Sequence, residues 1–228
     1  MFTEPKIAPS ILSADFMNME DDIHMIEEAG AGYVHVDVMD GHFVPNLTLG
    51  VPFVKQLKKV TDLPLDVHLM ISNPLTQLPW YLEHKPEIVT VHVEALDEEK
   101  DEINQAIDMI HEAGVKAALA LKPDCDVEVL VPYIAKLDMV LIMSVFPGFS
   151  GQKFIEGTDA RVARVVEMAR EAGVTPLVEV DGGLGVNDAT RSVAAAGVDV
   201  FVTGSACFAA EDPAAAIAAI KQTALDAQ

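Results

Sequence analysis

Arginine is almost missing from this chain of 228 residues. The four present, Arg161, Arg164, Arg170 and Arg191, all fall in segments that read as helix. If the protein binds a phosphate, an arginine clamp is not the expected means. Positive charge is scarce altogether: 15 Lys and Arg face 36 Asp and Glu, for a formal charge of −21. Such a chain repels nucleic acid and anionic membranes, so neither is an expected partner. No apolar run approaches the ~20 residues of a membrane-spanning helix. The opening Met1-Phe2-Thr3-Glu4-Pro5-Lys6 lacks the basic-then-apolar pattern of a secretory leader. Cysteine is limited to Cys125 and Cys207, far apart and in no metal-ligand spacing, which reads as free thiols in a reducing, cytoplasmic setting. No G-x-G-x-x-G follows the first apolar run, which argues against a dinucleotide fold.

Half of the residues are hydrophobic, ample for a core. One phrase recurs: Glu28-Ala29-Gly30, Glu112-Ala113-Gly114, Glu171-Ala172-Gly173 and Ala196-Gly197, each followed by a β-branched run. Glycine stops a helix and a strand follows, the mark of βα repetition. The pattern predicts strands at roughly 6–10, 33–38, 65–70, 88–93, 116–121, 139–144, 177–181 and 199–204. Helices are expected at about 18–29, 51–60, 75–84, 98–113, 127–136, 158–172, 187–196 and 212–225. Eight units of about 28 residues favour a single (β/α)8 TIM barrel over a doubly wound open sheet. No linker or low-complexity stretch interrupts the chain, so 1–228 is expected to be a single domain.

In such a barrel the chemistry sits at the C-terminal ends of the strands. The run from His35 to Asn46 begins as an apolar strand, yet His35 and Asp37 share one face of it, with Met39 next on that face. Burying an imidazole and a carboxylate without partners is costly; a metal ion or a substrate removes the cost. His68 stands near the end of the third strand and Asp181 at the end of the seventh. Four ligand-type groups from three strands would converge on one mouth. Two imidazoles and two carboxylates form a borderline N/O set suited to one divalent cation, Zn²⁺, Fe²⁺, Mn²⁺ or Co²⁺. The alternative is that they form separate hydrogen-bonded pairs. Asp66 shares a face with His68 but lies deeper, where it would orient a ligand; Glu179 stands similarly to Asp181. His92 reads as a satisfied core residue and His42 as a loop residue.

Glycine clusters follow the late strands: Gly148 to Gly151, Gly182-Gly183, and Gly204-Ser205. Glycine lets backbone amides approach an anion, so amides and Ser205 could hold a phosphate without arginine. Tight turns are the plainer reading of each pair alone. Met39, Met70 and Met143 fall at strand ends, either as core filler or as an apolar lining that shields an anionic intermediate.

These stretches resemble a known family. The resemblance is carried by Pro9-Ser10-Ile11-Leu12-Ser13-Ala14-Asp15-Phe16, the run over 35–46, Asp66-Val67-His68-Leu69-Met70, residues 144–154, Val180-Asp181-Gly182-Gly183 and Gly204-Ser205. Together they are similar to the ribulose-phosphate 3-epimerases, over nearly the whole chain. That resemblance implies an isomerase that interconverts ribulose 5-phosphate and xylulose 5-phosphate. It implies that His35, Asp37, His68 and Asp181 bind the metal and that Asp37 and Asp181 are the acid/base pair. Ser10, His68, Gly148, Phe149, Ser150, Gly151, Asp181, Gly182, Gly183, Gly204 and Ser205 would contact the substrate. A homo-oligomer, dimer or hexamer, is expected on the same ground. Phe146 and Ser150 depart from the family pattern beside the phosphate loop and leave pentulose against hexulose preference open, since allulose-6-phosphate 3-epimerases share most of these motifs.

The chemistry asks for such groups. Epimerisation beside a ketone removes a proton from one face and returns one to the other, so two opposed carboxylates serve where one base does not. A divalent cation on the substrate oxygens stabilises the enediolate between the two steps. Two other classes stay open: a phosphosugar decarboxylase or aldolase, with Lys122 the one candidate for a Schiff base, and a non-catalytic phosphosugar-binding barrel.

Overall fold

Every strand of the sheet is buried on both faces, and the alternation of residue types along each strand decides which face is which. The computed structural model describes residues 4–228. Eight strands are found among them: β1 (Lys6–Pro9), β2 (Val34–Met39), β3 (Leu65–Met70), β4 (Ile88–His92), β5 (Lys116–Leu121), β6 (Met139–Met143), β7 (Leu177–Asp181) and β8 (Val200–Thr203). All pair in parallel in the order β1-β8-β7-β6-β5-β4-β3-β2. A parallel bridge between Ser10 and His35 joins the two ends of that order. The result is a nearly closed barrel, as the sequence pattern predicts.

The helices lie between strands: α1 (Met19–Glu28), α2 (Val51–Val60), α3 (Pro74–Leu82), α4 (Glu102–Glu112), α5 (Thr158–Ala172), α6 (Asp188–Ala196), a short α7 (Ser205–Phe208) and α8 (Pro213–Leu225). In β2, Val34, Val36 and Val38 face the large core shared with the helices. Each such valine stabilises the fold by about 1.5–3 kcal/mol through burial. His35, Asp37 and Met39 occupy the alternate positions and so point inward. Ala8, Tyr33, Ile88, Ala118, Met139, Val200 and Val202 form a separate apolar cluster. The barrel interior is thus part apolar and part ionisable, and the ionisable groups come from β2, β3, β4 and β7.

The expected helix over 127–136 is absent. Two 3-10 turns, Val127–Leu130 and Ile134–Lys136, stand in its place. Pro132 between them has no N–H to donate, and Val127, Val129 and Val131 are stiff, β-branched residues that resist a helix. The expected helix over 98–113 is split. Asp101 adopts a left-handed φ of 59°, which separates a 3-10 turn at Glu98–Lys100 from α4. The other predicted elements agree within a residue or two at their ends. The recurring glycines do end helices, with Gly173 and Gly197 in the left-handed region at the ends of α5 and α6. Residues 1–3 of the stretch read as lacking a leader pattern lie outside the described residues.

The scarce arginines all sit on α5 and α6. Arg161 reaches from α5 under the mouth: Nη1 donates to Met143 O at 3.1 Å, and Nη2 to Lys122 O at 2.8 Å and Cys125 O at 3.1 Å. It clamps the ends of β5 and β6 where no regular helix does so. Replacing Arg161 by Met removes three charged hydrogen bonds that tie β6 to the loop after β5, at about 1–3 kcal/mol. For a chain of this size that is a fall of several °C in melting temperature, to be read by calorimetry.

Candidate active site

The parallel register of β2 and β3 sets Asp37 against His68 and His35 against Asp66. His35 Nδ1 donates to Asp66 Oδ2 at 2.5 Å, and this turns its Nε2 toward Asp37, 3.5 Å from Oδ1. His68 Nδ1 lies 3.3 Å from the same Asp37 oxygen. The other Asp37 oxygen accepts from Ser10 Oγ at 2.5 Å. Across the barrel Asp181 closes the group. One donor atom from each of His35, Asp37, His68 and Asp181 lies within 4.8 Å of every other. The four residues named from the sequence are therefore together.

Two buried atoms of this group, His35 Nε2 and His68 Nδ1, have no hydrogen-bond partner. Such orphans cost free energy unless something binds them. Both are the ring nitrogens that face the carboxylates, which fits a cation at their centre. The charges agree. Burial disfavours a charged His35, but Asp66 and Asp37 outweigh it and raise the imidazole well above its ordinary value. In the metal-free protein a proton on His35 stands where positive charge is wanted. Burial also pushes Asp37 up, but His35 beside it prevails and holds its carboxyl below the ordinary range. Asp181 moves the other way, to about 6, through burial first and the Asp37 charge second. One carboxylate is thus kept ionised and the other is poised to carry a proton.

Below the mouth, Glu179 lies 3.7 Å from His35 Nδ1, with both carboxyl oxygens unpartnered. Burial, and then the Asp66 charge, raise it well above the usual carboxylate value, so it is kept neutral. Asp66 fulfils the orienting role expected of it, for His35 on the neighbouring strand.

A cavity of about 540 Å³ opens above the group. Ser10, Asp37 and Asp181 line it, and so do Met39, Met70 and Met143. Its far wall is the glycine turns: Gly148, Phe149, Ser150 and Gly151 after β6, Gly182 and Gly183 after β7, and Gly204 and Ser205 after β8. His35 and His68 are fully buried and do not line it, so the expected substrate contact from His68 is not made at the cavity surface. Gly183 is required where it stands: its φ is +67°, and a Cβ there would lie 2.5 Å from Phe154 N. Ser150, one of the two departures, ties loops together, with its Oγ 2.6 Å from Ser13 Oγ. Phe146, the other, is half-exposed. Lys122 turns away from a Schiff-base role; its Nζ lies 3.8 Å from the centre of the Phe43 ring and it does not line the cavity.

A family model, the ribulose-phosphate 3 epimerase family, matches residues 6–208. The ribulose-phosphate 3-epimerase of Mycobacterium tuberculosis is 47% identical over 220 residues, 96% of this chain and 93% of the relative. The chain belongs to the ribulose-phosphate 3-epimerase family. Its members catalyse an isomerisation, and this chain is accordingly an isomerase. The enzyme of that name from Bacillus subtilis is 44% identical over 217 residues, 95% of this chain and 98% of the relative. Among solved structures, KGPDC of Streptococcus mutans superposes with a TM-score of 0.74 at 15% identity, covering 98% of this chain and 99% of that one. That likeness concerns the barrel alone.

Two residues outside the family motifs quoted above belong to this neighbourhood. His92, read from the sequence as a core residue, is fully buried and packs against His68, their ring centres 5.0 Å apart. Glu94 lies behind it. The signal was there: His92-x-Glu94 repeats the two-residue spacing of His35-x-Asp37. His42, by contrast, is an exposed loop residue, as expected.

Asp40 does more than end a strand. Its Oδ1 accepts from the N–H groups of His42 and Phe43, and its Oδ2 from Ser72 N and Oγ, tying the loop after β2 to the loop after β3. Partial burial opposes ionisation, but these donors pull the carboxyl down to about 2. A depressed folded-state value contributes stability above the unfolded value, near 4, that is lost as the pH falls through about 2. Asp40→Asn should therefore cost on the order of 1 kcal/mol at neutral pH, after discounting for solvent. The gap to the parent protein should shrink as the pH drops below about 4 in urea titrations.

Proposed function

We propose that this protein interconverts D-ribulose 5-phosphate and D-xylulose 5-phosphate, with Asp37 and Asp181 as the two proton carriers at C3. The observation that carries the reading is that Asp37 from β2 and Asp181 from β7 meet from across the barrel at one cavity, in surroundings that lower the proton affinity of the first and raise that of the second. Two carboxyl groups whose surroundings push their protonation apart are matched to acid and base roles. The family's curated relatives bear the name of this reaction.

His35, Asp37, His68 and Asp181 would hold one divalent cation, of the Zn²⁺, Fe²⁺, Mn²⁺ or Co²⁺ class. Bound there, it would supply positive charge opposite the ketone and hydroxyl oxygens on which charge develops. Asp37 takes the C3 proton from one face of the substrate, leaving an enediolate, while Asp181 delivers its proton to the other face. In the reverse direction the roles exchange. Ser10 holds the second oxygen of Asp37 and so fixes the carboxylate plane. Met39, Met70 and Met143 line the cavity and limit water near the carbanion-like centre. The backbone amides of the Gly148–Gly151, Gly182-Gly183 and Gly204-Ser205 turns are suited to the phosphate, with Ser205 adding a hydroxyl.

A single domain over 1–228 and a cytoplasmic location fit the reading. Cys125 and Cys207 are both free thiols, and no helix among the described residues is long and apolar enough to cross a membrane. A homo-oligomer is proposed on the family resemblance alone.

Asp181→Asn should lower turnover by about 10²–10⁴-fold while circular dichroism stays native; a substantially active variant would contradict the two-base scheme. Chelation should abolish activity and a titrated cation restore it. Because His35 holds a raised affinity for its proton, cation binding should release about one proton and weaken as the pH falls. Calorimetry in buffers of different ionisation enthalpy reads this directly. Ribulose 5-phosphate should be turned over faster than allulose 6-phosphate.

A further inference from the structure

His35 has a carboxylate directly behind it, in Asp66. His68 has none; a second imidazole stands there instead. His68 Nε2 and His92 Nε2 are 2.9 Å apart, and both rings are fully buried. His92 Nδ1 lies 3.1 Å from Glu94 Oε2, and Glu94 Oε1 accepts the backbone N–H of Lys122 at 2.6 Å. The chain of contacts runs from the loop after β5, through β4, to a residue of the proposed metal site.

The direction of donation follows from the groups themselves. A carboxylate only accepts, so His92 donates from Nδ1. The ring is fully buried with a single carboxylate at its Nδ1, so one proton on Nδ1 satisfies it and its Nε2 keeps a lone pair that accepts. His68 must supply the proton between the two rings, from its own Nε2. A neutral His68 with its proton on Nε2 has a free lone pair on Nδ1. That is the orphaned atom 3.3 Å from Asp37 Oδ1.

We propose that His92 and Glu94 are positioning residues that lock His68 in the Nε2–H tautomer and so present its Nδ1 to the cation. The proposal rests on the reading of the four-residue group as a metal site. Packing holds the relay in place. The Phe43 ring lies 4.9 Å from the His92 ring, and the Lys122 ammonium covers the Phe43 ring at 3.8 Å. Neither His92 nor Glu94 lines the cavity, so their effect reaches the chemistry through His68 alone. A ligand's tautomer fixed from behind in this way commonly contributes about 10–100-fold to metal affinity.

The test has two readouts, neither of which is activity. Nitrogen-15 NMR of metal-free protein should show His68 protonated at Nε2 and His92 at Nδ1. Co²⁺ affinity, measured by competition with a chromophoric chelator, should fall about 10–100-fold in Glu94→Ala and in His92→Phe. His92→Gln, whose amide oxygen can still accept from His68, should recover most of the loss. Glu94 is partly exposed, so its variant reports even where a change at His92 impairs folding. His68 protonated at Nδ1 in the parent protein would overturn the proposal. So would unchanged Co²⁺ affinity in Glu94→Ala alongside a lowered melting temperature, the result of a purely structural role. A parent protein that binds no Co²⁺ at all would overturn the metal-site reading itself, and is told apart from both by the NMR spectrum.

Discussion

The hydrogen bond from His35 Nδ1 to Asp66 Oδ2 sets the orientation on which the mouth of this barrel is built. It joins neighbouring strands at a register pair, so its geometry is fixed by the sheet ladder and not by a loop. Once His35 is turned this way, Nε2 points at Asp37, and Asp37 is placed between two imidazoles. Ser10, which reaches Asp37 from β1's end, sits at the bridge that closes the barrel. Barrel closure and the ionised state of Asp37 therefore share residues. The same group sets Asp181, since the charge on Asp37 is one reason Asp181 binds its proton more tightly.

This arrangement opposes stability. A barrel interior filled with valine and leucine would cost nothing to desolvate, whereas this one buries His35, Asp66, His68, His92 and Glu179 almost completely. Buried ionisable groups are weak evidence for stability, and a barrel that carries five of them carries them for another reason. The outer face of the same strands compensates, with one continuous apolar core between sheet and helices. The division is written in the two-residue period of β2 and β3: one parity packs against the helices and the other carries the proposed site.

That period is also why so much was legible in the sequence. His35-x-Asp37 and Asp66-x-His68 interrupt otherwise apolar strands, and nothing in a packed core demands such residues. Asp181 and the glycine turns were legible through their place at strand ends. His92 reads as a satisfied core residue and is one, buried and hydrogen-bonded to His68 and Glu94; that it stands behind His68 is not legible because that partner is distant in the chain. Glu179 is legible as a strand residue like Asp181, but its raised hold on a proton is not, because that follows from burial beside Asp66, which only three dimensions reveal. The missing helix over 127–136 failed for a local reason, Pro132 among β-branched residues. The cavity wall's tight fit at Gly183 depends on Phe154, a contact that spacing alone does not disclose.

The central claim is that two different carboxyl groups handle the proton at C3. It is tested most directly by running the reaction from ribulose 5-phosphate in deuterium oxide and stopping it within the first few per cent of conversion. Two carriers on opposite faces predict that xylulose 5-phosphate carries solvent-derived deuterium at C3 from the outset, seen by proton NMR. Product that retains the substrate's own hydrogen at C3 would mean one group shuttles it across, and would contradict the account.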